Sequence, residues 1–160
     1  MRIYVPLTIP QLRAAVAAGA LPPGRGYAVT PGLREHYASG DTDELEESAR
    51  ALAAVASLRL LAADLAAPRR RVVVAVDADA PADPAERGAV VLAAPVARDH
   101  WAAALLDDGS SVDVVAAAAD AVTEADAGDE DAAFMVSEAD DVDLLWFGVQ
   151  ELDHLAELEL

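Results

Sequence analysis

The chain has 160 residues, 54% of them apolar, with 29 acidic and 11 basic side chains, a formal net charge of −18 and no cysteine. That length suits one domain around one core, and so large an apolar share excludes a disordered chain, because burying it offsets the entropy of ordering. The charge repels phosphate backbones and anionic membrane surfaces, which excludes nucleic acid and membrane as partners, and the missing thiols exclude disulfides, thiolate nucleophiles and the common structural zinc sites.

The apolar run over residues 3–7 predicts a buried first strand, and Thr8 offers its hydroxyl as the cap of a helix over 10–18. Gly19 and the cluster Pro22-Pro23-Gly24 with Gly26 end that helix in a loop ahead of a second apolar stretch, 27–29. Thr30 before Pro31 repeats the helix-start signal for a short helix over 33–37. Asp41 and Glu44 have the spacing of a capping box, and Leu45, Ala49, Leu52, Ala56 and Leu60 recur at helical spacing, which predicts a long helix over 42–63.

The unbroken β-branched run ending at Val76 predicts a mid-sheet strand over 72–76 covered on both faces. Residues 77–88 read as a solvated loop, 89–94 as a strand, 95–99 as a turn, and 101–106 fits a strand or a helix equally. A helix over 112–122 is entered through Ser110 or Ser111, the acidic stretch 126–131 follows it, and 144–149 is a candidate final strand. The expected fold is therefore α+β: a single two-layer sandwich over 1–160, with a mixed sheet of about five or six strands covered mainly on one face by the long helix. The first strand is expected to pair parallel with the strand over 72–76.

Four blocks carry a resemblance: Arg2-Ile3-Tyr4-Val5-Pro6-Leu7-Thr8, Tyr27-Ala28-Val29-Thr30-Pro31 with Leu33-Arg34-Glu35, Arg69-Arg70-Arg71-Val72-Val73-Val74, and Leu144-Leu145-Trp146-Phe147 with Gln150-Glu151-Leu152. In this order they resemble a family of uncharacterised actinobacterial proteins of about this length, known as a domain of unknown function. The resemblance implies a bacterial cytoplasmic origin and carries over no catalytic or binding residue.

Every basic residue is Arg, and Lys and Asn are absent, a composition expected of strong GC bias in the codons. Without Lys there is no phosphate-loop lysine, no Schiff base and no lysine general base. The N-terminal residues show no signal-peptide pattern, so a cytoplasmic location is expected. Asp77 and Asp79 follow the strand over 72–76 directly, where α/β folds hold Mg²⁺ for phosphoryl transfer. Pro81 and the absence of Lys depart from the haloacid-dehalogenase pattern, and a solvated acidic loop is the plainer reading. The acidic clusters at 107–108, 126–131 and 138–143 lack the ligand spacing of an EF-hand, and Asp129, Asp140 or Asp141 read instead as helix starts.

Three His stand far apart, and no Ser sits in a nucleophile elbow. Arg69, Arg70 and Arg71 form the one basic concentration, a candidate grip on a phosphate or carboxylate. Trp101, Trp146 and Phe147 read as core anchors; Trp146 exposed beside an acidic rim would instead mark a protein-binding patch. The leading functional reading is a non-enzymatic, acidic interaction or regulatory protein that binds a basic protein partner or itself. The alternative is a Mg²⁺-dependent phosphoryl-transfer or anion-metabolite enzyme using Asp77 and Asp79, and the third is a nucleic-acid mimic.

Overall fold

A computed structural model describes residues 1–37 and 39–157. Along them run β1 (Arg2–Leu7), α1 (Ile9–Ala18), β2 (Ala20–Leu21), β3 (Gly24–Tyr27), α2 (Pro31–His36), α3 (Thr42–Ala63), β4 (Val72–Asp77) and β5 (Ala89–Leu92). After these come β6 (Val96–Ala97), β7 (Trp101–Leu106), α4 (Val112–Asp126), α5 (Glu130–Asp140), β8 (Leu145–Gly148) and α6 (Leu152–Glu157).

Helices α1, α2, α3 and α5 begin where side chains take up orphaned amides, whereas Ser111 at the start of α4 makes no such bond. The Thr8 hydroxyl accepts from Gln11 N–H at 3.4 Å, and the Gln11 side chain accepts from Thr8 N–H at 3.0 Å. Asp41 and Glu44 make the same reciprocal pair at 2.9 and 3.1 Å, opening the 22-residue helix α3 at the expected residue. Gly19, at φ 71°, closes α1 in the left-handed region, where a side chain would be strained. Asp129 caps α5, as an acidic helix start should, whereas Asp140 ends that helix and Asp141 caps its C-terminus.

Six strands form one sheet in the order β5-β3-β1-β4-β7-β8, and β2 pairs with β6 in a small second sheet. The α+β class and the long helix packed on the sheet are as expected. The pairing direction is not: β1 runs antiparallel to β4, with Leu7 opposite Val72 and Arg2 opposite Asp77, and every pair in the sheet is antiparallel rather than mixed. The unbroken apolar run of β4 signals burial on both faces, which antiparallel neighbours provide as well as parallel ones. Segment 101–106 resolves as strand β7, and Gly24 to Tyr27, expected largely as loop, pairs with β5 as β3.

Val73 and Ala75 point to one face with Tyr4 and Leu105, under Leu45, Ala49 and Ala53 of α3. The small side chains of Ala49 and Ala53, each 0% exposed, let α3 lie close to the sheet. Val72, Val74 and Val76 point to the other face with Ile3 and Val5, where Leu12 of α1 and Leu152 of α6 cover them. A third cluster joins Leu58 and Leu61 of α3 to Val115 and Val122 of α4 and Ala139 of α5. The sheet is thus covered on both faces, and α4 and α5 form a flank against the C-terminal half of α3. Among the described residues no helix is long and apolar enough to cross a membrane.

Candidate functional site

The sheet has two edges, and they are treated differently. Along β5 the chain returns to cover the edge: Val91 N–H donates to Pro81 O at 3.0 Å, and Asp83 N–H donates to Ala89 O at 2.8 Å. At the other edge, β8 pairs with β7 alone among the strands. Leu145 and Trp146 on β8 are exposed, Trp146 at 65%. Uncovered edges bearing large apolar groups invite association, and proteins ordinarily blunt them.

The three aromatics of the second half therefore have different fates. Trp101 is a core anchor, 5% exposed, with its indole N–H donating to Val96 O at 3.0 Å. Phe147 packs against the α1 side of the core. Trp146 lies opposite Leu105 across the β7–β8 ladder and so stands on the α3 side of the sheet, outside the core.

Between Trp146 and α3 lies a cleft of about 350 Å³. One wall is α3, with Glu47, Arg50, Ala51 and Ala54; the end is Asp140, the last residue of α5, with Val142 and Asp143 of the α5–β8 connection; Leu105 and Arg71 also line it. Arg50 is ion-paired to Glu47 on its own helix. Asp140 is held above the ordinary carboxyl pKa, first by burial and also by neighbouring Asp141, while Arg71 pulls it the other way. Arg71 itself is 1% exposed, and Asp107 opposite it 3%. The Asp107 carboxylate accepts from Arg71 Nε at 3.0 Å, from Nη2 at 2.8 Å and from the Arg71 backbone N–H at 2.6 Å. Nη2 also donates to Val142 O at 3.0 Å, which fixes the α5–β8 connection to the start of β4. Arg71 thus lines the cleft with its charge already paired.

The three consecutive arginines do not act together. Arg69 turns back onto the C-terminal end of α3, donating to Leu61 O at 2.9 Å, to Ala67 O at 3.0 Å and to Asp64 O. Leu61 and Asp64 belong to the end of α3, where a helix leaves carbonyls unsatisfied, and Ala67 lies in the segment that follows it. Arg70 lies against Gly109, and Arg71 is committed to Asp107.

Asp77 and Asp79 stand away from this cleft, beside His100 and Pro95. Arg2 donates to Asp77 at 2.9 Å through Nε, and this contact holds the Asp77 carboxyl below its ordinary pKa. Asp79 lies 3.6 Å from the N-terminal ammonium. Each carboxylate already has a cation, and among the described residues no group of three or more His, Cys, Asp or Glu side chains is placed to hold a metal ion.

A second cluster of charge lies on the β3 side. Arg25 pairs with Asp83 at 2.5 Å and Glu86 at 2.7 Å, Arg59 pairs with Asp126 at 2.8 Å, and Tyr27 OH donates to Glu86 at 3.0 Å. It ties the 77–88 loop to β3 and α3. Each of its three carboxylates is held by one of the two arginines, so it reads as a structural seam.

Among known proteins, the family model of DUF6912, a family of unknown function, matches residues 1–156. No curated protein and no solved structure matches the chain.

Proposed function

We propose that this chain, which belongs to the DUF6912 family of unknown function, is a non-enzymatic binding module that receives a basic protein partner at the cleft between α3 and β8. One observation carries the reading: Trp146, 65% exposed, stands beside a cleft rimmed by Glu47, Asp140 and Asp143. An exposed tryptophan on an uncovered edge is the kind of anchor that dominates interface energetics, and carboxylates around it select a cation. Within the cleft Arg50 offsets Glu47 and Arg71 offsets Asp107, which leaves Asp140 and Asp143 to set its sign.

A basic partner is favoured over a second copy of the chain. Two copies meeting at β8 would bring their acidic rims together, each on a chain of net charge −18. The all-arginine basic set and the absence of Asn support a GC-rich, actinobacterial source, and the absence of Cys supports a reducing cytoplasm.

The test is affinity capture from an actinobacterial lysate at low and high salt, with wild-type protein beside Trp146→Ala and the double variant Asp140→Asn/Asp143→Asn. The expected partner is basic, washes off as salt rises, and is lost from both variants. A partner retained equally by all three proteins would overturn the assignment of the site. A metabolite that raises the melting temperature, with nothing captured, would overturn the reading itself.

A further inference from the structure

Resting on the basic-partner reading above, we infer that the partner binds as an extended segment that adds a seventh strand to the sheet along β8. The ladder geometry shows which backbone groups β8 has to offer. Asp107 N–H donates to Arg71 O at 3.2 Å, so at this end of the β4–β7 ladder Asp107 turns its backbone groups toward β4. Counting by twos, Leu105 does the same, and Ala104 and Leu106 turn theirs toward β8. Their partners there are Phe147 and Leu145, so the N–H and C=O of Trp146 and Gly148 face away from the sheet.

Gly148 N–H is already taken, since Glu151 accepts it at 2.7 Å. That agrees with the outward direction and closes one end of the edge. Trp146 N–H and C=O have no partner among the described residues. The free edge therefore presents one complete donor–acceptor rung, at the residue whose indole is exposed.

Two features around that rung fit an extended basic segment. The opposite edge of the sheet, at β5, is covered by residues 81–83 of the same chain, so leaving β8 open is not a general habit of this fold. Side chains on alternate residues of an added strand would project to the α3 side, where Asp140 and Asp143 wait for a guanidinium or an ammonium.

The experiment uses an eight-residue peptide of alternating Lys and Val with blocked ends, and two versions N-methylated on either the Lys amides or the Val amides. In a strand, amides of one residue set face β8 and those of the other face solvent, so the two methylated peptides report on the two edges. Binding is read from Trp146 fluorescence, and hydrogen exchange follows the Trp146 amide. The expected result is that the parent peptide binds at low salt and protects the Trp146 amide. One methylated peptide should lose affinity by at least about tenfold while the other stays within about twofold of the parent. Equal affinities for the two methylated peptides, both near the parent or both weak, would overturn strand addition and leave the basic-partner reading standing. The same holds if the parent fails to bind while the lysate partner still depends on Trp146. Failure of both would remove the reading and this inference together. A peptide-free dimer with a protected Trp146 amide would place a second copy on the edge and overturn the inference.

Discussion

Arg71 and Asp107 face each other one residue beyond the Val72–Leu106 pair of the β4–β7 ladder, joined by a bidentate ion pair whose side chains are 2% and 0% exposed. It is the most deeply buried ion pair among the described residues. Because Arg71 also holds Val142 O, the pair fixes the α5–β8 connection and, through it, the end of the cleft. Removing one partner strands the other charge away from water, and such losses cost about 3–5 kcal/mol. Asp107→Ala and Arg71→Met are each expected to lower the unfolding free energy measured in urea by that amount. The double variant Arg71→Met/Asp107→Leu should lose much less than the sum, because neither charge is then left unpaired. Simple additivity in that cycle would show that the pair is not coupled.

Ser57 makes a second polar clamp in the core. Its hydroxyl donates to Leu7 O at 2.8 Å and accepts from Val72 N–H at 3.1 Å, while its residue is 0% exposed. Leu7 and Val72 are partners in the β1–β4 ladder, so α3 reaches into the end of that ladder and ties both strands to itself. Ser57→Ala leaves a buried carbonyl and a buried amide short of a partner, and is expected to destabilise by about 1–3 kcal/mol. In urea unfolding the midpoint should fall with the slope unchanged. A midpoint equal to wild type would mean that the two strands satisfy each other without the hydroxyl.

The capping residues were legible in the sequence because a cap is local: Thr8, Thr30 and Asp41 each serve an amide three residues away. The direction of β1 against β4 was not, since an apolar run records how many faces are buried and carries nothing about its neighbours' direction. Arg71 looks like Arg69 and Arg70 in the sequence, and only its pairing with Asp107, 36 residues on, separates them. The start of α5 was legible at Asp129, an acidic cap, whereas the extent of α5 and the whole of α6 were not, because acidic stretches read as loops. Trp146 was identified as a candidate by its residue type, but its exposure depends on β8 being the last strand of the sheet, which no local pattern reveals.

The contrast between the two tryptophans gives a direct check on the candidate site. Trp101→Ala should cost about 3–5 kcal/mol, the usual loss for a buried tryptophan, whereas Trp146→Ala should change stability by less than about 0.5 kcal/mol. Acrylamide, being neutral, approaches this acidic surface without repulsion and should quench Trp146 well and Trp101 poorly. The Trp146→Ala protein should therefore show blue-shifted, weakly quenched emission. Strong quenching that survives in that variant would put Trp101 at the surface and dismantle the account of the cleft.

Tyr27 links the fold to pH. It is 1% exposed, and its hydroxyl donates to Glu86, which Arg25 also holds. Burial, with the Glu86 charge and hydrogen bond adding to it, pushes the phenol up to about 12. An unfolded tyrosine titrates near pH ~10, so between about 10 and 12 the folded chain keeps a proton that the unfolded chain has lost. The contribution is complete below about pH 10 and disappears as pH rises through about 12, an effect on the order of 2–3 kcal/mol. Unfolding free energy measured across this range should fall in the wild type, and the Tyr27→Phe variant should lack that component. Phenolate absorbance offers an independent reading: at least one of the three tyrosines of the folded protein should resist ionisation until near pH 12. If all three ionise together near pH ~10 while the protein stays folded, the Tyr27 hydroxyl is neither buried nor bonded as described here.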